Sequence, residues 1–232
     1  MTLLAVAAEK MEFDGVLRHA RKICPQNWPV RFARSAEVGA NHWLMVANGP
    51  GPRLAAKAIE AGLACGEKID AVLSMGWCGA LHPHFEVGDI FAAHVVKAGQ
   101  LEYEVLLPRS SRTFLKGRLI SQDRFVGSSA EKSELHVLGV QAVEMEAGAV
   151  AREASRLNLP LYCVRVISDT AGEDFYLDFN KMRDEEGRFQ RARIAMEGIL
   201  SPFKGLPNLI RMASRGKWTS NVLGDFLADC EF

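Results

Sequence analysis

Short apolar runs alternate with mixed polar stretches along most of the chain. Runs of this length, bounded by Gly, Pro or charged residues, predict buried strands, and they fall at residues 3–7, 42–47, 71–75 and 161–167. Further strands are predicted at residues 89–96 and 115–121. Helices are predicted at residues 9–21, 54–64 and 143–157. Strands that alternate with helices indicate a mostly parallel sheet covered by helices.

Three segments that follow predicted strands carry residues able to contact a ligand. In open sheets of this kind, ligands bind beyond the carboxyl ends of the strands. The candidate segments are residues 76–80, 122–126 and 168–170. The first contains Gly76 and Gly79, which lack a Cβ and let the backbone approach a ligand closely. We expect this segment to be a loop that forms one wall of a site.

Composition narrows the class of protein. The chain has 232 residues, with Lys plus Arg and Asp plus Glu at 28 each. Such a length commonly forms one domain, and the balanced charge argues against nucleic acid as the main partner. We therefore expect a single domain over residues 1–232 that binds a small molecule. No segment approaches the roughly 20 apolar residues of a membrane span, so we expect a protein that is neither secreted nor transmembrane.

The cysteines and histidines give no sign of a disulfide framework or a metal site. The five cysteines are odd in number and contain no CxxC pair, which disfavours both disulfides and structural zinc. The six histidines form no recognisable ligand set beyond the weak pair His82 and His84. These features indicate a reducing, cytoplasmic environment and no metal or cofactor.

Glu146 is the first candidate for chemistry. An apolar stripe at helical spacing runs along the predicted helix 143–157 and consists of Val143, Ala147, Val150, Ala151, Ala154 and Leu157. Glu146 projects beside this stripe near the helix start. It either stabilises the helix dipole or accepts hydrogen bonds from ligand hydroxyls. Glu144 lies near the opposite edge of the stripe, and its role is open.

Arg165 and Asp169 form a second candidate. If the strand at residues 161–167 stays extended to its end, alternation places both side chains on one face and Ser168 on the other. A buried guanidinium is costly unless it is paired. Either Arg165 forms a structural ion pair with Asp169 or with a glutamate, or the group is catalytic.

Several short motifs in a fixed order resemble those of a known family. VEMEA at residues 143–147 precedes VRVISD at 164–169, and the chain also carries GWCGAL at 76–81, VGDI at 87–90 and SQDRFV at 121–126. Together these motifs resemble the nucleoside phosphorylase/nucleosidase family and, within it, the 5'-methylthioadenosine/S-adenosylhomocysteine nucleosidases. The resemblance covers roughly residues 1–183. It implies a single-domain α/β fold with three α/β/α layers and a mostly parallel, mixed central sheet.

The resemblance implies a set of substrate-binding residues. Glu146 is expected to bind the ribose hydroxyls with Met145 against the sugar, while Phe125 stacks on the purine and Val126 offers backbone groups to the base edge. The set is completed by Glu144, Trp77, Cys78 and Gly79.

It also implies the catalytic residues. Asp169 is expected to protonate purine N7 as a general acid held by Ser168, and Glu12 to orient the attacking water with Arg165 nearby. Glu9 is the alternative to Glu12, because the resemblance rests on few residues there. A free aspartate has a pKa of about 3.9, so Asp169 must be shielded from water or take up a proton when substrate binds.

Two departures from the family pattern bear on the reaction. Trp77 stands where the nucleosidases usually carry a small hydroxyl residue, which leaves the substrate's 5' substituent open. The arginines that bind phosphate in the phosphorylase branch are replaced by the residues at 7–9 and 73–75. Loss of those charge-assisted contacts favours water over phosphate. We therefore expect hydrolysis that releases adenine from a methylthioadenosine- or adenosylhomocysteine-type nucleoside. The resemblance also implies a homodimer.

From about residue 184 the chain diverges from the family pattern. This tail contains Lys204, Arg211, Arg215 and Lys217 among apolar residues, with no acidic residue between Gly198 and Gly224. It forms either a terminal helix packed on the domain or on a partner subunit, or a basic amphipathic segment on an anionic membrane surface. The tail resembles hopanoid-associated relatives, which implies, as an alternative, phosphorolytic or hydrolytic removal of adenine from a lipid-linked adenosyl substrate.

Two other function classes stay open on the sequence alone. A lost catalytic residue would leave a non-catalytic nucleoside-binding protein, although Glu12, Glu146 and Asp169 are all present. Cys78 could act as a nucleophile if a histidine such as His82 or His84 activated it.

Overall fold

The computed structural model describes residues 1–201 and 205–232, so Lys204 of the tail lies outside the described residues. The strands of this part are β1 Thr2–Ala7, β2 Arg21–Pro25, β3 Phe32–Val38, β4 Asn41–Ala47, β5 Ala71–Ala80, β6 Ile90–Ala98, β7 Leu101–Glu104, β8 Leu115–Ser121, β9 Ala142–Glu144 and β10 Leu161–Asp169. Its helices are α1 Asp14–Leu17, α2 Pro52–Leu63, α3 Ser129–His136, α4 Ala147–Arg156, α5 Arg191–Leu200 and α6 Gly205–Ala228, and 3-10 turns occur at Lys10–Phe13 and Phe179–Met182.

A mixed sheet forms the centre of the fold. The strand order is β10-β6-β8-β9-β5-β1-β4-β3-β2, with β7 beside β6, and β10 also pairs with β5. Because β5 pairs with both β9 and β10, the five strands β5, β10, β6, β8 and β9 form a closed ring. Parallel pairing joins β4, β1, β5 and β10 and also β6, β8 and β9, whereas β2, β3 and β7 pair antiparallel. The predicted mixed α/β fold is confirmed.

Helices cover both faces of the sheet. On β1, Leu4 and Val6 belong to a core that includes residues of α2 and α4, whereas Leu3 and Ala5 belong to a core shared with α1 and α6. This alternation follows from the two-residue period of a strand. It explains why β1 reads as one continuous apolar run, since both of its faces are buried.

The C-terminal helix α6 packs against the first helical segment of the chain. Phe226 and Leu227 are buried in the core, and burial of such a side chain contributes about 1.5 to 3 kcal/mol. The two segments touch through backbone, because a Cβ on Gly15 would overlap the carbonyl O of Ser220. The Ser220 hydroxyl donates to the carbonyl O of Met11. The tail helix is therefore part of the folded domain.

Three sequence-based boundaries are wrong. The helix predicted at 143–157 begins only at Ala147, because Val143 pairs as strand β9 with β5 and β8, and Leu157 at the other end is exposed. The segment 76–80 is not a loop but the end of β5, which β9 and β10 extend by pairing with it. The helix predicted at 9–21 is a 3-10 turn and the short α1, since β2 starts at Arg21 and pairs with β3.

Candidate active site

A cavity of about 300 Å³ lies where the expected strand exits meet. The ends of β5 and β10 and the segment after β8 all line it, together with the β9–α4 junction. Of the predicted site residues, those that line the cavity are Glu12, Trp77, Cys78, Gly79, Phe125, Val126, Glu144, Met145, Glu146, Ser168 and Asp169. Arg165 and Glu9 are not among its lining residues.

Glu12 is a buried carboxyl group held by two backbone donors. The Glu9 N–H donates to Oε2 at 2.8 Å and the Trp77 N–H to Oε1 at 3.0 Å. Residue 76 must be glycine because an added Cβ would overlap Oε1 and because its φ is +143°. Burial raises the pKa of Glu12 to about 7, against the opposing effect of the two N–H groups. A group with this pKa can take a proton from water near neutral pH.

Glu146 lies at the N-terminus of α4, as its sequence position indicated. Its Oε1 accepts a 2.7 Å hydrogen bond from the Gly51 N–H. Burial, and then the negative charges of Glu144 and Glu12, raise the pKa of Glu146 to about 8. These three glutamates and Asp169 line the cavity, so it concentrates four carboxyl groups, an arrangement that favours a ligand that brings hydroxyl donors or develops positive charge.

Arg165 pairs with Glu144 rather than with Asp169. Its Nη2 donates to Glu144 Oε2 at 2.7 Å and to the Ser74 hydroxyl at 2.8 Å, and both ion-pair partners are buried. The same Glu144 oxygen accepts the N–H groups of Glu146 and Ala147, each at 2.9 Å, and so caps α4. The structural arginine–glutamate pair is therefore the alternative that the structure supports.

Glu144 has one oxygen left for a ligand. Within the described part of the chain, its Oε1 is buried and meets no hydrogen-bond donor. An unpaired buried acceptor is costly, and this carboxylate borders the cavity. A ligand hydroxyl would satisfy it.

Asp169 is held at both oxygens at the end of β10. Ser168 Oγ lies 2.7 Å from Oδ1, and the Lys132 ammonium donates to Oδ2 at 2.6 Å. The pairing of β10 with β5 shifts register between Ile167 and Asp169, so the strict alternation expected to place Asp169 with Arg165 fails. Burial raises the pKa of Asp169, although Lys132 and Ser168 oppose the rise. Asp169 is only 4% exposed, so its carboxyl group is largely shielded from water, which is one of the two conditions expected of a general acid at this position.

The aromatic wall contains residues that sequence reasoning missed. Phe125 packs edge-on against Phe175 at 4.9 Å and Phe179 at 5.1 Å between ring centroids. Further wall residues come from α6, at Met212 and Gly216. The sequence signal for Met212 and Gly216 was weak, since both lie in the region that diverges from the family pattern. The carboxyl groups are therefore faced by an apolar surface suited to a flat base.

Cys78 lacks the features of a nucleophile. Burial raises the pKa of its thiol well above the usual value, whereas a nucleophilic cysteine needs a thiolate. The His82 ring contacts those of His84 and His136, and neither His82 nor His84 lines the cavity. The cysteine-hydrolase alternative has no structural support.

The described residues contain neither a cluster of metal ligands nor a helix able to span a membrane. Residues 1–201 and 205–232 contain no group of three or more His, Cys, Asp or Glu side chains placed to hold a metal ion. In the same ranges, every helix is too short or too polar to cross a bilayer.

Part of the chain matches a known protein family. Residues 96–201 match the model of the Phosphorylase superfamily. The motifs SQDRFV, VEMEA and VRVISD lie inside that segment, and GWCGAL and VGDI precede it. The chain thus resembles the Phosphorylase superfamily over slightly less than half of its length.

Individual proteins that this chain resembles carry nucleosidase names. It is 37% identical over 70 residues to the 5'-methylthioadenosine/S-adenosylhomocysteine nucleosidase of Mycobacterium tuberculosis, covering 30% of this chain and 28% of the relative. It is 26% identical over 141 residues to the enzyme of that name from Staphylococcus aureus, covering 48% and 62%. The matches thus span less than two thirds of either relative.

Solved structures share the fold over nearly the whole chain. The Streptococcus pneumoniae MTA/SAH nucleosidase in complex with 8-aminoadenine superposes with a TM-score of 0.69 and 21% identity, covering 99% of this chain and 100% of the other. The native futalosine hydrolase of Helicobacter pylori gives a TM-score of 0.69 and 16% identity, covering 98% and 95%. At these identities the likeness establishes the fold.

Proposed function

We propose that this protein hydrolyses the N-glycosidic bond of an adenine nucleoside of the methylthioadenosine or adenosylhomocysteine type and releases adenine. The observation that carries the proposal is the meeting of Glu12, Glu146 and Asp169 in one buried cavity beside Phe125. The cavity volume of about 300 Å³ is at the lower end of the range for small-ligand sites.

Each carboxyl group has a distinct task in the proposed reaction. The purine lies against Phe125, and Asp169 protonates N7 as the bond from the sugar carbon to N9 breaks, so that the base leaves neutral. Glu146 binds the ribose hydroxyls and stabilises the positive charge that develops on the ribose. Glu12 orients water, which attacks that carbon as its proton passes to the Glu12 carboxylate.

Arg165 acts indirectly in this scheme. It lies outside the cavity lining, and its 2.7 Å contact with Glu144 holds the group that caps α4 next to Glu146. We therefore propose that Arg165 orients the ribose-binding carboxylate through Glu144. Glu12, which borders the cavity, is preferred over Glu9 as the group that positions water.

The names of the relatives support this substrate class. The M. tuberculosis and S. aureus relatives are called 5'-methylthioadenosine/S-adenosylhomocysteine nucleosidases, and one structural neighbour binds 8-aminoadenine. The cavity residues favour water as the nucleophile, since Arg124 and Arg215 are its only arginines among the described residues and Arg215 is bound to Glu173.

A lipid-linked adenosyl substrate is the second candidate. It is supported by apolar side chains exposed on α5 and α6, since Leu200 is 71% and Ile210 61% exposed while Met212 of α6 lines the cavity. Exposed apolar groups of this kind can contact a membrane surface. Cosedimentation with anionic liposomes tests this contact. The protein should bind the liposomes, and the binding should depend on Leu200 and Ile210.

We also propose a cytoplasmic homodimer. The free cysteines, three of them buried, suit a reducing compartment. Val137 is 84% exposed and Leu138 lies beside it, also exposed, at the end of α3; an interface between two copies would cover them. Light scattering of the purified protein measures the mass, and a fully active monomer would contradict the dimer.

The deciding experiment is an assay with methylthioadenosine, adenosylhomocysteine and adenosine, with and without phosphate. Free adenine together with free sugar in the absence of phosphate is expected. Strict dependence on phosphate would replace hydrolysis by phosphorolysis. No release from any of the three would contradict the proposed substrate class and favour the lipid-linked adenosyl substrate or a pocket that only binds.

A further inference from the structure

Lys132 is a lysine buried completely inside the protein. It lies on α3, and its side chain has no exposed surface. The ammonium donates to Asp169 Oδ2 at 2.6 Å, to the Thr170 carbonyl O at 2.7 Å and to the Glu173 carbonyl O at 3.2 Å. An ammonium has three N–H donors, and here all three have acceptors. Lys132 is therefore built into the fold as a charged group.

The place of Lys132 is fixed from several sides. Its helix α3 is capped by the Ser128 hydroxyl, which accepts from the Glu131 N–H. The ammonium lies 5.6 Å from the centre of the Phe175 ring, which lines the cavity. Gly79 also packs closely on Asp169, since a Cβ added to it would lie only 2.9 Å from Oδ2. The Asp169 carboxyl thus has almost no freedom to turn.

Lys132 itself does not line the cavity, whereas Asp169 does. Lys132 can therefore affect a bound nucleoside only indirectly, and its shortest contact with a cavity residue is the 2.6 Å ion pair with Asp169, against 5.6 Å to the Phe175 ring. Ser168 occupies the other carboxyl oxygen, so the lysine and the serine hold the carboxyl group between them.

We propose that Lys132 is a positioning residue that fixes Asp169 and sets its strength as an acid. The inference rests on the proposed function. In the reaction, the proton of the Asp169 carboxyl passes to N7 of the purine, and the electron pair of the breaking bond stays with the base. The carboxylate that forms is stabilised by the ammonium 2.6 Å away. Lys132 neither gains nor loses a proton.

The physical reason is the stability of the product carboxylate. A carboxylate without a counter charge is costly in a buried site, so an unpaired buried acid holds its proton tightly. An adjacent ammonium lowers that cost and makes proton transfer to a weakly basic ring nitrogen more favourable. Burial raises the pKa of Asp169 and Lys132 opposes the rise, in agreement with the geometry.

Other charged groups surround the pair and remain when Lys132 is replaced. Glu173 follows β10, and Arg215 of α6 binds its carboxylate at 2.7 and 2.9 Å, with Arg211 at 2.8 Å. Asp174 binds the N–H at the start of α3. From β5, Cys78 faces Asp169 as a neutral thiol. A change in Asp169 titration on replacing Lys132 therefore reports on the lysine.

The test compares three variants at position 132 with the wild type. Lys132→Met removes the charge and the donors, Lys132→Gln keeps N–H donors without charge, and Lys132→Arg keeps the charge. Lys57→Met on the exposed face of α2 is the matched control. Adenine release gives kcat and KM, and ¹³C NMR of protein labelled at the aspartate carboxyls gives the Asp169 titration midpoint, assigned with Asp169→Asn.

In Lys132→Met and Lys132→Gln, the Asp169 midpoint should rise by about one pH unit or more. We expect kcat to fall about tenfold, part of the roughly 10²- to 10⁴-fold that general acid catalysis supplies, with little change in KM. Lys132→Arg should restore both values, and Lys57→Met should alter neither.

An unmoved Asp169 midpoint, or wild-type kcat in a folded Lys132→Gln protein, would overturn the proposed role of Lys132 while leaving the nucleosidase proposal intact. A kcat loss of equal size in Lys132→Arg would also overturn it, since charge would then be irrelevant. Wild-type protein that releases no adenine would instead overturn the proposed function, and this inference with it.

Discussion

Replacing Glu146 by Gln should stabilise the empty protein at alkaline pH and at the same time destroy its activity. The carboxyl group lies close to two others, and its pKa is raised to about 8 by burial and by Glu144 and Glu12. Glutamine keeps an oxygen for the 2.7 Å hydrogen bond from the Gly51 N–H. It removes only the charge that the folded site disfavours.

The size of the effect follows from the two pKa values of Glu146. Below about pH 4.5 the folded and unfolded states both hold the proton, so the substitution changes little. As pH rises towards 8, only the unfolded state releases its proton, and the wild type loses stability relative to the variant. The full shift from 4.5 to about 8 sets an upper bound of about 5 kcal/mol at 1.36 kcal/mol per unit. Because the neighbouring carboxyl groups titrate together with Glu146, we expect about 2 kcal/mol.

Thermal unfolding of both proteins from pH 4.5 to 8.5 measures this difference. About 2 kcal/mol corresponds to a Tm increase of roughly 4 to 8 °C for a chain of this length, and it should vanish at the acidic end. The control is Glu153→Gln on the same helix, where Arg156 lowers the pKa of the carboxylate; this variant should be slightly less stable than wild type at pH 8. A Glu146→Gln protein with no pH-dependent gain would refute the charge argument.

Two further substitutions test the site. Asp169→Asn should leave the Lys132 ammonium without its counter charge, costing about 3 to 5 kcal/mol and most of the turnover; adding Lys132→Met should restore Tm but not adenine release. Gly76→Ala should displace Glu12, because its Cβ would overlap Oε1, and kcat/KM should fall about tenfold or more. The control is Gly66→Ala, because Gly66 also has a positive φ but an added Cβ there would meet no atom within 4 Å. An equal loss of activity in the control would contradict the steric explanation.

Much of the sheet could be predicted from the sequence because its inner strands are buried on both faces. The strand predicted at residues 3–7 matches β1, Thr2–Ala7, to within one residue, since an apolar run is a direct record of burial on both faces. The β2–β3 pairing was missed because β2 is exposed along its length and carries Arg21 and Lys22. A strand at the sheet edge leaves no apolar pattern to read.

The site residues divide in the same way. Glu146 stands beside an apolar helical stripe, and Asp169 follows an apolar strand that contains the charged Arg165. These positions made both carboxyl groups candidates. Lys132 gave no such signal, because α3 is polar and its burial comes from the loop after β10 that folds over it. For Arg165, the sequence could predict a carboxylate partner but not which one. Glu144 comes close to Arg165 because β9 pairs with β5, and that pairing was not predicted.

The helix α6 joins the two ends of the chain at the cavity. It supplies Met212 and Gly216 to the wall, and its Ser220 holds the backbone of Met11 next to Glu12. During synthesis on the ribosome, the carboxyl groups up to Asp169 emerge well before this helix. A nascent or C-terminally truncated chain would therefore carry Glu12, Glu146 and Asp169 without an assembled pocket. Activity would begin only when the whole domain has folded.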